Sequence, residues 1–141
     1  MVRKQLSVFL ENKTGRFTGV AKLLGEEGIN MTAFTVSENS EFGILRLIVS
    51  DTDEALLILR NHKYAVTEAD VIYFRCPNYP GALGQAMEII TQAGIFIEYM
   101  YAFSEGESAN VVIRPDNLEL CVKVLKAHQS ELSTVNELYK L

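Results

Sequence analysis

Two short segments carry the residue types whose spacing best suits the binding of a small molecule. They are residues 12–17, Asn-Lys-Thr-Gly-Arg-Phe, and residues 78–83, Asn-Tyr-Pro-Gly-Ala-Leu. In each segment an asparagine precedes a glycine by three positions, before a stretch whose apolar spacing predicts a helix. Backbone N–H groups at a helix N-terminus attract anions, and glycine lets a carboxylate approach the main chain closely. Because the asparagine carbonyl accepts hydrogen bonds from ammonium, the turn offers partners to both ends of a zwitterion.

A second interpretation explains the same residues without a ligand. Asparagine and glycine are frequent in tight turns, and an asparagine side chain often caps the helix that follows. The residue types of the turn are therefore compatible with a binding site and with a purely structural turn. The elements around the two segments must be considered before either interpretation is preferred.

The two segments occupy equivalent places in an internal repeat. Gly15 and Gly81 are 66 positions apart, and the same ungapped shift pairs Asn12 with Asn78. Apolar residues keep this register along the chain, as in the pairs Leu23/Ile89, Met31/Ile97, Leu45/Val111 and Leu47/Ile113. Such a repeat indicates a duplicated structural unit. We therefore predict two domains, at residues 1–69 and 70–141.

Each copy is predicted to contain strand, helix, strand, strand, helix and strand in that order. In the first copy the strands are expected at residues 5–10, 29–37, 43–50 and 65–68, with a hairpin turn at residues 38–41 and a second helix capped by Asp51. In the second copy the strands are expected at residues 70–76, 95–103 and 110–114, with the hairpin at residues 105–107 and the second helix capped by Asp116. The first helices are expected to end at Gly28 and Gly94.

This order predicts an α+β fold of two tandem ferredoxin-like βαββαβ units, with antiparallel sheets and both helices on one face. A unit of about 66 residues buries only about 60% of its unfolded surface, which favours joining two copies. Aromatic and apolar residues of the second strands, Phe34 and Val36 or Tyr99 and Tyr101, are expected on the face without helices.

The sequence around both turns resembles the ACT domain family of small-molecule regulatory modules. The pattern is a strand, Asn-x-Pro-Gly-x-Leu, a helix ending in Gly-Ile, and another strand. The second copy matches it at Asn78, Pro80, Gly81, Leu83, Gly94 and Ile95. The first copy keeps Asn12, Gly15, Gly28, Ile29 and Asn30, but has Thr14 in place of Pro and Phe17 in place of Leu. The resemblance covers nearly the whole chain, twice.

The resemblance implies that amino acids bind at the interface between paired domains, through this turn and the start of the second strand. The ligand-binding residues are then expected to be Asn12, Gly15, Arg16, Phe17, Asn30, Met31, Asn78, Gly81, Ala82, Leu83, Phe96 and Ile97. The resemblance also implies regulation of amino-acid metabolism, with a free amino acid as ligand and a homodimer or a partner enzyme as the associated protein. Thr14 leaves a looser first turn, which predicts either unequal sites or a single site, with the second turn the better candidate.

Composition argues against several other functions. The 141 residues carry a net charge of −5 and a pI of about 5.0, so nucleic acid is not an expected partner. RNA-recognition modules share the βαββαβ order, but the third strands here, residues 43–49 and 110–114, lack stacking aromatics. No apolar run approaches the length of about 18 residues that a membrane helix needs, and no secretory signal is recognised. We expect a cytoplasmic protein that does not bind membranes.

An enzyme is not expected, because no nucleophile with a base, paired carboxylates or metal-ligand spacing stands out. We assign no catalytic residue, no metal and no cofactor. His62 and His128 fall at equivalent positions near helix C-termini, where an imidazole suits the helix dipole. Cys76 and Cys121 show no CxxC spacing and are interpreted as reduced, buried thiols. The remaining alternative is a protein-interaction subunit that binds no small ligand of its own.

Overall fold

The structure, a computed structural model, describes residues 1–38 and 41–129 and contains six strands and four helices in these residues. The elements are β1 (Val2–Glu11), α1 (Arg16–Glu26), β2 (Met31–Glu38), β3 (Phe42–Val49), α2 (Thr52–Asn61), β4 (Ala65–Pro77), α3 (Ala82–Gln92), β5 (Ile97–Glu105), β6 (Ser108–Pro115) and α4 (Leu118–Ala127). The α+β fold with two tandem ferredoxin-like units is confirmed. Part of the first hairpin turn, residues 39–40, and the closing strand expected for the second copy lie outside the described residues.

Two compact units make up the chain. The first unit is Lys4–Ala69, and the second unit joins Met1–Arg3 to the chain from Asp70 onward. The strand order is β2-β3-β1-β4 in the first unit and β5-β6-β4 in the second, and consecutive strands of each hairpin are antiparallel. In the second unit Met1–Arg3 lies along the other side of β4, where the Tyr73 N–H donates to the Met1 carbonyl over 2.7 Å.

Alternation along the strands sends every second side chain into a core shared with both helices of the unit. In the first unit Leu6, Val8 and Leu10 of β1 pack with residues of both helices, such as Leu24 of α1 and Leu59 of α2. Helices with an apolar stripe can bury it only on the sheet face that carries these side chains. Both helices therefore cover the same face, which leaves the other face of the sheet without a helix.

The cores of the two units show the duplication more clearly than the sequence does. The second core contains ten buried residues: Ile72, Phe74, Cys76, Ala86, Ile90, Ile95, Val111, Ile113, Cys121 and Leu125. Subtracting 66 from each number gives a buried core residue of the first unit. The sequences diverge at most of these positions, yet each position keeps its place in the core. The ungapped repeat therefore reflects one packing pattern used twice.

One strand spans the boundary between the repeats. The expected strands at residues 65–68 and 70–76 are a single strand, β4, of 13 residues. The boundary, residues 67–71, reads Thr-Glu-Ala-Asp-Val and contains neither glycine nor proline. Since neither glycine nor proline occurs between Ala65 and Arg75, the extended backbone has no local reason to break.

Two details of the sequence-based prediction are wrong. Asn117, rather than Asp116, caps α4, and its Oδ1 accepts from the Leu120 N–H over 3.0 Å. Asp116 instead accepts from the Phe96 N–H over 3.1 Å, which ties the start of β5 to the end of β6. With Asn117 as N-cap the spacing from cap to bonded N–H is the same as in α2, where Asp51 accepts from the Glu54 N–H.

The second error concerns the faces of β2. A register irregularity between Met31 and Ala33 shifts the alternation, so Phe34 pairs with the core residue Leu47 and Val36 with Leu45. The Phe34 ring lies 5.6 Å from the ring of Phe17 on α1, so it is on the helix face. Because of this bulge, Phe34 and Val36 lie on the face of the sheet opposite to the one predicted from strict alternation. In β5, Tyr99 and Tyr101 pair with Arg114 and Val112, which alternate with the core residues of β6, so they lie on the face opposite α3 and α4.

Candidate ligand-binding turns

Both Asn-x-x-Gly turns end in a glycine with the same unusual backbone. Gly15 has φ 89° and ψ −2°, and Gly81 has φ 93° and ψ −17°. Each is the N-cap residue of the helix that follows, and neither helix receives a side-chain capping bond. This left-handed conformation is accessible to glycine without the strain that a side chain adds. Glycine suits this position because the chain turns sharply between the strand and the helix.

The two other helices of the structure begin differently. Asp51 and Asn117 have extended backbones and cap α2 and α4 with their side chains. A helix N-terminus carries partial positive charge, and its first N–H groups lack intrahelical acceptors. In α2 and α4 a side-chain oxygen accepts from one of these groups. At α1 and α3 the chain supplies no such oxygen, so an external anion suits the N-termini that follow the turns.

In the second turn the hairpin between β5 and β6 positions the asparagine. The Asn78 side chain donates through Nδ2 to the Gly106 carbonyl over 3.3 Å, and its backbone N–H donates to the Glu107 carbonyl over 2.8 Å. A carbonyl can only accept, so it is the amide nitrogen that faces Gly106. The Oδ1 atom is the acceptor end of the same fixed amide. The exposed Leu83 adds an apolar surface, whereas Ala82 is only 3% exposed and can contribute its backbone alone.

In the first turn, charged side chains surround the same backbone. The Glu11 carboxylate is bonded to Lys13 Nζ at 3.1 Å and to Arg16 Nη2 at 3.0 Å. The hydrogen bonds from Lys13 and then from Arg16 hold the pKa of the Glu11 carboxyl below its ordinary value. One carboxylate facing two cations leaves the cluster with net positive charge. The second copy has Tyr79 and Ala82 in place of Lys13 and Arg16, so the two turns differ in charge.

A cavity of about 330 Å³ lies beside the first turn. Of the predicted site residues, the structure brings Asn12, Arg16 and Phe17 together in its wall. Further lining comes from Glu11, Lys13, Val36, Glu38 and Gly43, which sequence reasoning did not select. Glu11 and Lys13 could have been selected from the sequence, because residues 11, 13 and 16 are closely spaced charges. The contribution of Val36 and Glu38 follows from the bulge in β2 and was not readable from the sequence.

The predicted residues at the start of the second strands lie elsewhere in each unit. Glu11, at the end of β1, pairs with Phe42 at the start of β3, whereas Met31 pairs with Val49 at the end of β3. At about 3.3 Å per residue, the turn and Met31 are therefore about 20 Å apart. The same applies in the second unit, where Pro77 pairs with Ser108 and Ile97 with Pro115.

These strand starts are held by matching pairs of hydrogen bonds. The Asn30 N–H donates to Ser50 Oγ and the Ser50 N–H donates to the Asn30 carbonyl, each over 3.0 Å. The equivalent Phe96 and Asp116 exchange bonds of 3.1 and 2.9 Å. Phe96 itself is 68% exposed, which leaves its ring available as a contact surface. One small ligand cannot touch both ends of a single unit.

The two histidines form hydrogen bonds within their own helices. His62 and His128 follow the last turns of α2 and α4, and each donates through Nδ1 to a carbonyl four residues earlier, over 2.9 Å. Within residues 1–38 and 41–129, no group of three His, Cys, Asp or Glu side chains is placed to hold a metal ion. No helix in this part of the chain is long and apolar enough to cross a membrane.

The two cysteines are expected to react slowly with thiol reagents in the folded protein. Burial raises the pKa of the Cys76 thiol, and burial together with the nearby Asp116 raises the pKa of Cys121 to about 11. Only the thiolate attacks such reagents, so at pH 8 both groups are largely unreactive. Labelling with iodoacetamide should be much faster in denaturant than in buffer and should accelerate in buffer as the pH rises. Equal rates in buffer and denaturant would contradict this assignment.

The fold and its paired turns define a class of protein, and comparisons with known proteins identify it. A family model described as an ACT domain pair matches residues 1–141, and the chain belongs to this family. No curated protein matches the chain significantly.

Solved structures give the same result. A protein from Bacteroides thetaiotaomicron is similar at 50% identity and a TM-score of 0.88, over 92% of this chain and 90% of that chain. The ligand-free regulatory subunit of aspartate kinase from Thermus thermophilus is similar at 14% identity and a TM-score of 0.69, over 90% of this chain and 96% of that chain. The subunit from Thermus flavus has a TM-score of 0.63 at 14% identity, over 90% of this chain and 94% of that chain. At 14% identity the two Thermus proteins share the fold.

Proposed function

We propose that the protein is a non-catalytic regulatory module that binds a free amino acid at its turns and changes its association in response. The observation that carries this proposal is the contrast among the four helices. Helices α1 and α3 begin at left-handed glycines without a side-chain cap, whereas α2 and α4 are capped by Asp51 and Asn117. Two uncapped N-termini, each beside an asparagine amide, suit the carboxylate and the ammonium of an amino acid.

The strength of such binding fits the sensing of a metabolite. Hydrogen bonds that involve charged groups contribute about 1.5–3 kcal/mol each. Two or three of them, less the free energy of association, give micromolar to millimolar dissociation constants. The second turn, with its fixed Asn78 and apolar Leu83, is proposed to be the stronger site. The first turn adds the positive charge of Lys13 and Arg16, so the two sites are proposed to differ in preference.

The placement of the strand starts supports the proposed change in association. Because the turn and the start of β2 are about 20 Å apart within a unit, a ligand that contacts both kinds of residue must be shared between two copies of the unit. Where the second copy belongs to another molecule, ligand binding and dimerisation are linked, since the ligand then favours the associated state. The fold shared with regulatory subunits of aspartate kinase supports a partner enzyme as the target of this change.

Thermal unfolding against a panel of amino acids tests this proposal. A ligand at about 100 times its dissociation constant should stabilise the protein by about 2.7 kcal/mol. Asn78→Ala and Gly81→Val should weaken the effect more than His128→Ala, because the histidine is bonded within its own helix. Light scattering with and without the stabilising amino acid then reports the change in association.

Two outcomes contradict the proposal. If no amino acid stabilises the protein at millimolar concentration, the binding site does not exist and the interaction subunit without a small ligand becomes the better account. If Asn78→Ala and His128→Ala weaken binding equally, the amino acid binds away from the turns.

A further inference from the structure

A second and larger cavity lies wholly within the first unit. Its volume is about 530 Å³, and it opens between the N-terminus of α1 and the loop that joins α2 to β4. Ligand pockets commonly have volumes of about 300–1,000 Å³, with mostly apolar walls and a few charged groups. The charged lining consists of Glu11, Arg16, Glu41 and Lys63, beside the polar ring of His62, and the aromatic lining consists of Phe9, Phe42 and Tyr64. The proposed amino-acid site uses neither the loop nor these rings.

The balance of charge in this cavity favours an anion. Glu11 is paired with Arg16 at 3.0 Å and with Lys13 at 3.1 Å, and Lys13 does not line the cavity. The cations Lys13, Arg16 and Lys63 outnumber the carboxylates of Glu11 and Glu41 by one, and His62 adds a polar ring. The backbone carbonyls of Ile58 and Leu59 at the end of α2 accept from the N–H groups of His62 and Tyr64, which reduces the negative potential of that helix end.

Lys63 has an unfavourable backbone conformation. Its φ is 67°, and within the described residues it is the one non-glycine residue with a positive φ. The position just after a helix C-terminus strongly favours glycine or asparagine when φ is positive. A lysine there carries strain that glycine would remove, and such strain is found preferentially at functional sites. Strain of this kind, at the wall of a charged cavity, supports a functional role for the Lys63 side chain.

Two of the three rings, Phe9 and Phe42, lie outside the core of the first unit, whereas Tyr64 packs against it. Phe9 lies between the core residues Val8 and Leu10 on β1, so its side chain points to the opposite face, where it is 41% exposed. Its ring lies 5.8 Å from that of Phe42. The Tyr64 hydroxyl reaches α1 so closely that a Cβ on Gly19 would stand 2.9 Å from it. These rings form an apolar surface beside the cations.

The second copy lacks this arrangement. At the equivalent positions it has Pro77, Ala82 and Gln129 where the first copy has Glu11, Arg16 and Lys63. The core positions correspond throughout the two units, whereas the cavity loses these charges and also two of its rings, since Arg75 and Ser108 stand where the first copy has Phe9 and Phe42. A purely structural feature of the fold would not need this combination of cations and rings in one copy alone.

We propose that the cavity lined by Arg16, Lys63 and the Phe9, Phe42 and Tyr64 rings binds a small carboxylate with an aromatic or other apolar body. The carboxylate pairs with Lys63 and Arg16, and the apolar body lies against the rings. This site lies away from the second turn, shares Arg16 with the first turn, and does not need an ammonium group on its ligand. Since Glu11 and Arg16 also line the cavity beside the first turn, occupants of the two cavities would share these residues.

Calorimetric titration with 3-phenylpropionate tests the site, with 3-phenylpropanol and 2-phenylethylamine as neutral and cationic analogues. The carboxylate should bind saturably, and the two analogues should bind much more weakly. Lys63→Gly should weaken binding about tenfold, the loss expected for one charged hydrogen bond. The same variant should unfold at a higher temperature, because glycine relieves the strained backbone. Weaker binding together with a higher unfolding temperature would exclude a folding defect as the cause.

Two matched variants complete the experiment. Lys63→Arg keeps the charge and the strained backbone and should retain binding. Lys22→Ala removes an exposed lysine of α1 that does not line the cavity, and it should also retain binding. Saturable binding that Lys63→Gly leaves unchanged, equal binding of the neutral alcohol, or no binding would each overturn this assignment. Asn78→Ala should leave the titration unchanged, so failure here and failure of the proposed amino-acid site are distinguished.

Discussion

Replacing Leu47 with alanine is expected to destabilise the protein by about 2–5 kcal/mol, the range for a buried leucine whose removal leaves a cavity. Leu47 is 0% exposed and lies in the middle of β3, where it pairs with Leu6 on one side and Phe34 on the other. Leu47 packs in a core formed by the strands and both helices of the first unit. We therefore expect the neighbouring side chains to fill little of the cavity left by the leucine. Urea denaturation followed by circular dichroism measures the change.

Leu57→Ala is the matched control for this substitution. Leu57 lies on α2 and is 63% exposed, so the same atoms are removed with little loss of burial. Alanine also has the higher helix propensity, and the free energy of unfolding should change by less than about 0.5 kcal/mol. Similar losses for the two variants would mean that the core of the first unit is not where the structure places it.

Replacing Gly81 with alanine should destabilise the protein by about 1–2 kcal/mol, because a side chain is strained at a left-handed φ. The φ of Gly81 is 93°, and an added Cβ would meet no atom within 4 Å. The penalty is therefore one of backbone conformation and not of collision. The free energy of unfolding in urea, without any amino acid present, reports it directly.

Gly84→Ala makes the same chemical change three residues later with the opposite expected sign. Gly84 lies in α3, its φ is not positive, and its Cβ would also meet nothing within 4 Å. Alanine should stabilise the helix by about 0.4–1 kcal/mol. If both variants stabilise the protein, the chain does not turn at Gly81 as described. The N-terminus of α3 would then not be the uncapped anion site proposed above.

Strong periodic signals allowed most of the fold to be predicted from the sequence. The apolar spacing of α1 and α3 and the alternation in β1 fix element type, and the ungapped shift between Gly15 and Gly81 fixes the repeat. Asp51 as the cap of α2 also followed from local sequence, because the capping residue and its bonded N–H are separated by a fixed spacing.

The errors arose where two residues compete for one role or where alternation is interrupted. Asp116 and Asn117 are both good caps, and only the hydrogen bond between Asp116 and Phe96 determines which one remains for α4. The bulge in β2 moved Phe34 onto the helix face and brought Val36 to the first turn. Long-range register decides both outcomes, and single-sequence patterns contain no information about it.

The candidate site was predictable in part. Asn12, Arg16 and Phe17 meet in one cavity because they are close in sequence. The separation of Met31 from the turn depends on the direction of β2 relative to β1, which requires the assembled sheet. The cavity beside Lys63 was not foreseen, since residues 9, 42 and 63 converge only through strand pairing.

Differences between the two turns have a consequence for how such a protein can evolve. A dimer of identical single units must carry every substitution in both of its sites, so any new charge appears twice. In this chain Lys13 and Arg16 occupy one turn while Tyr79 and Ala82 occupy the other. Gene duplication thereby removes the constraint of symmetry: one turn can acquire a new preference while the other preserves the ancestral one.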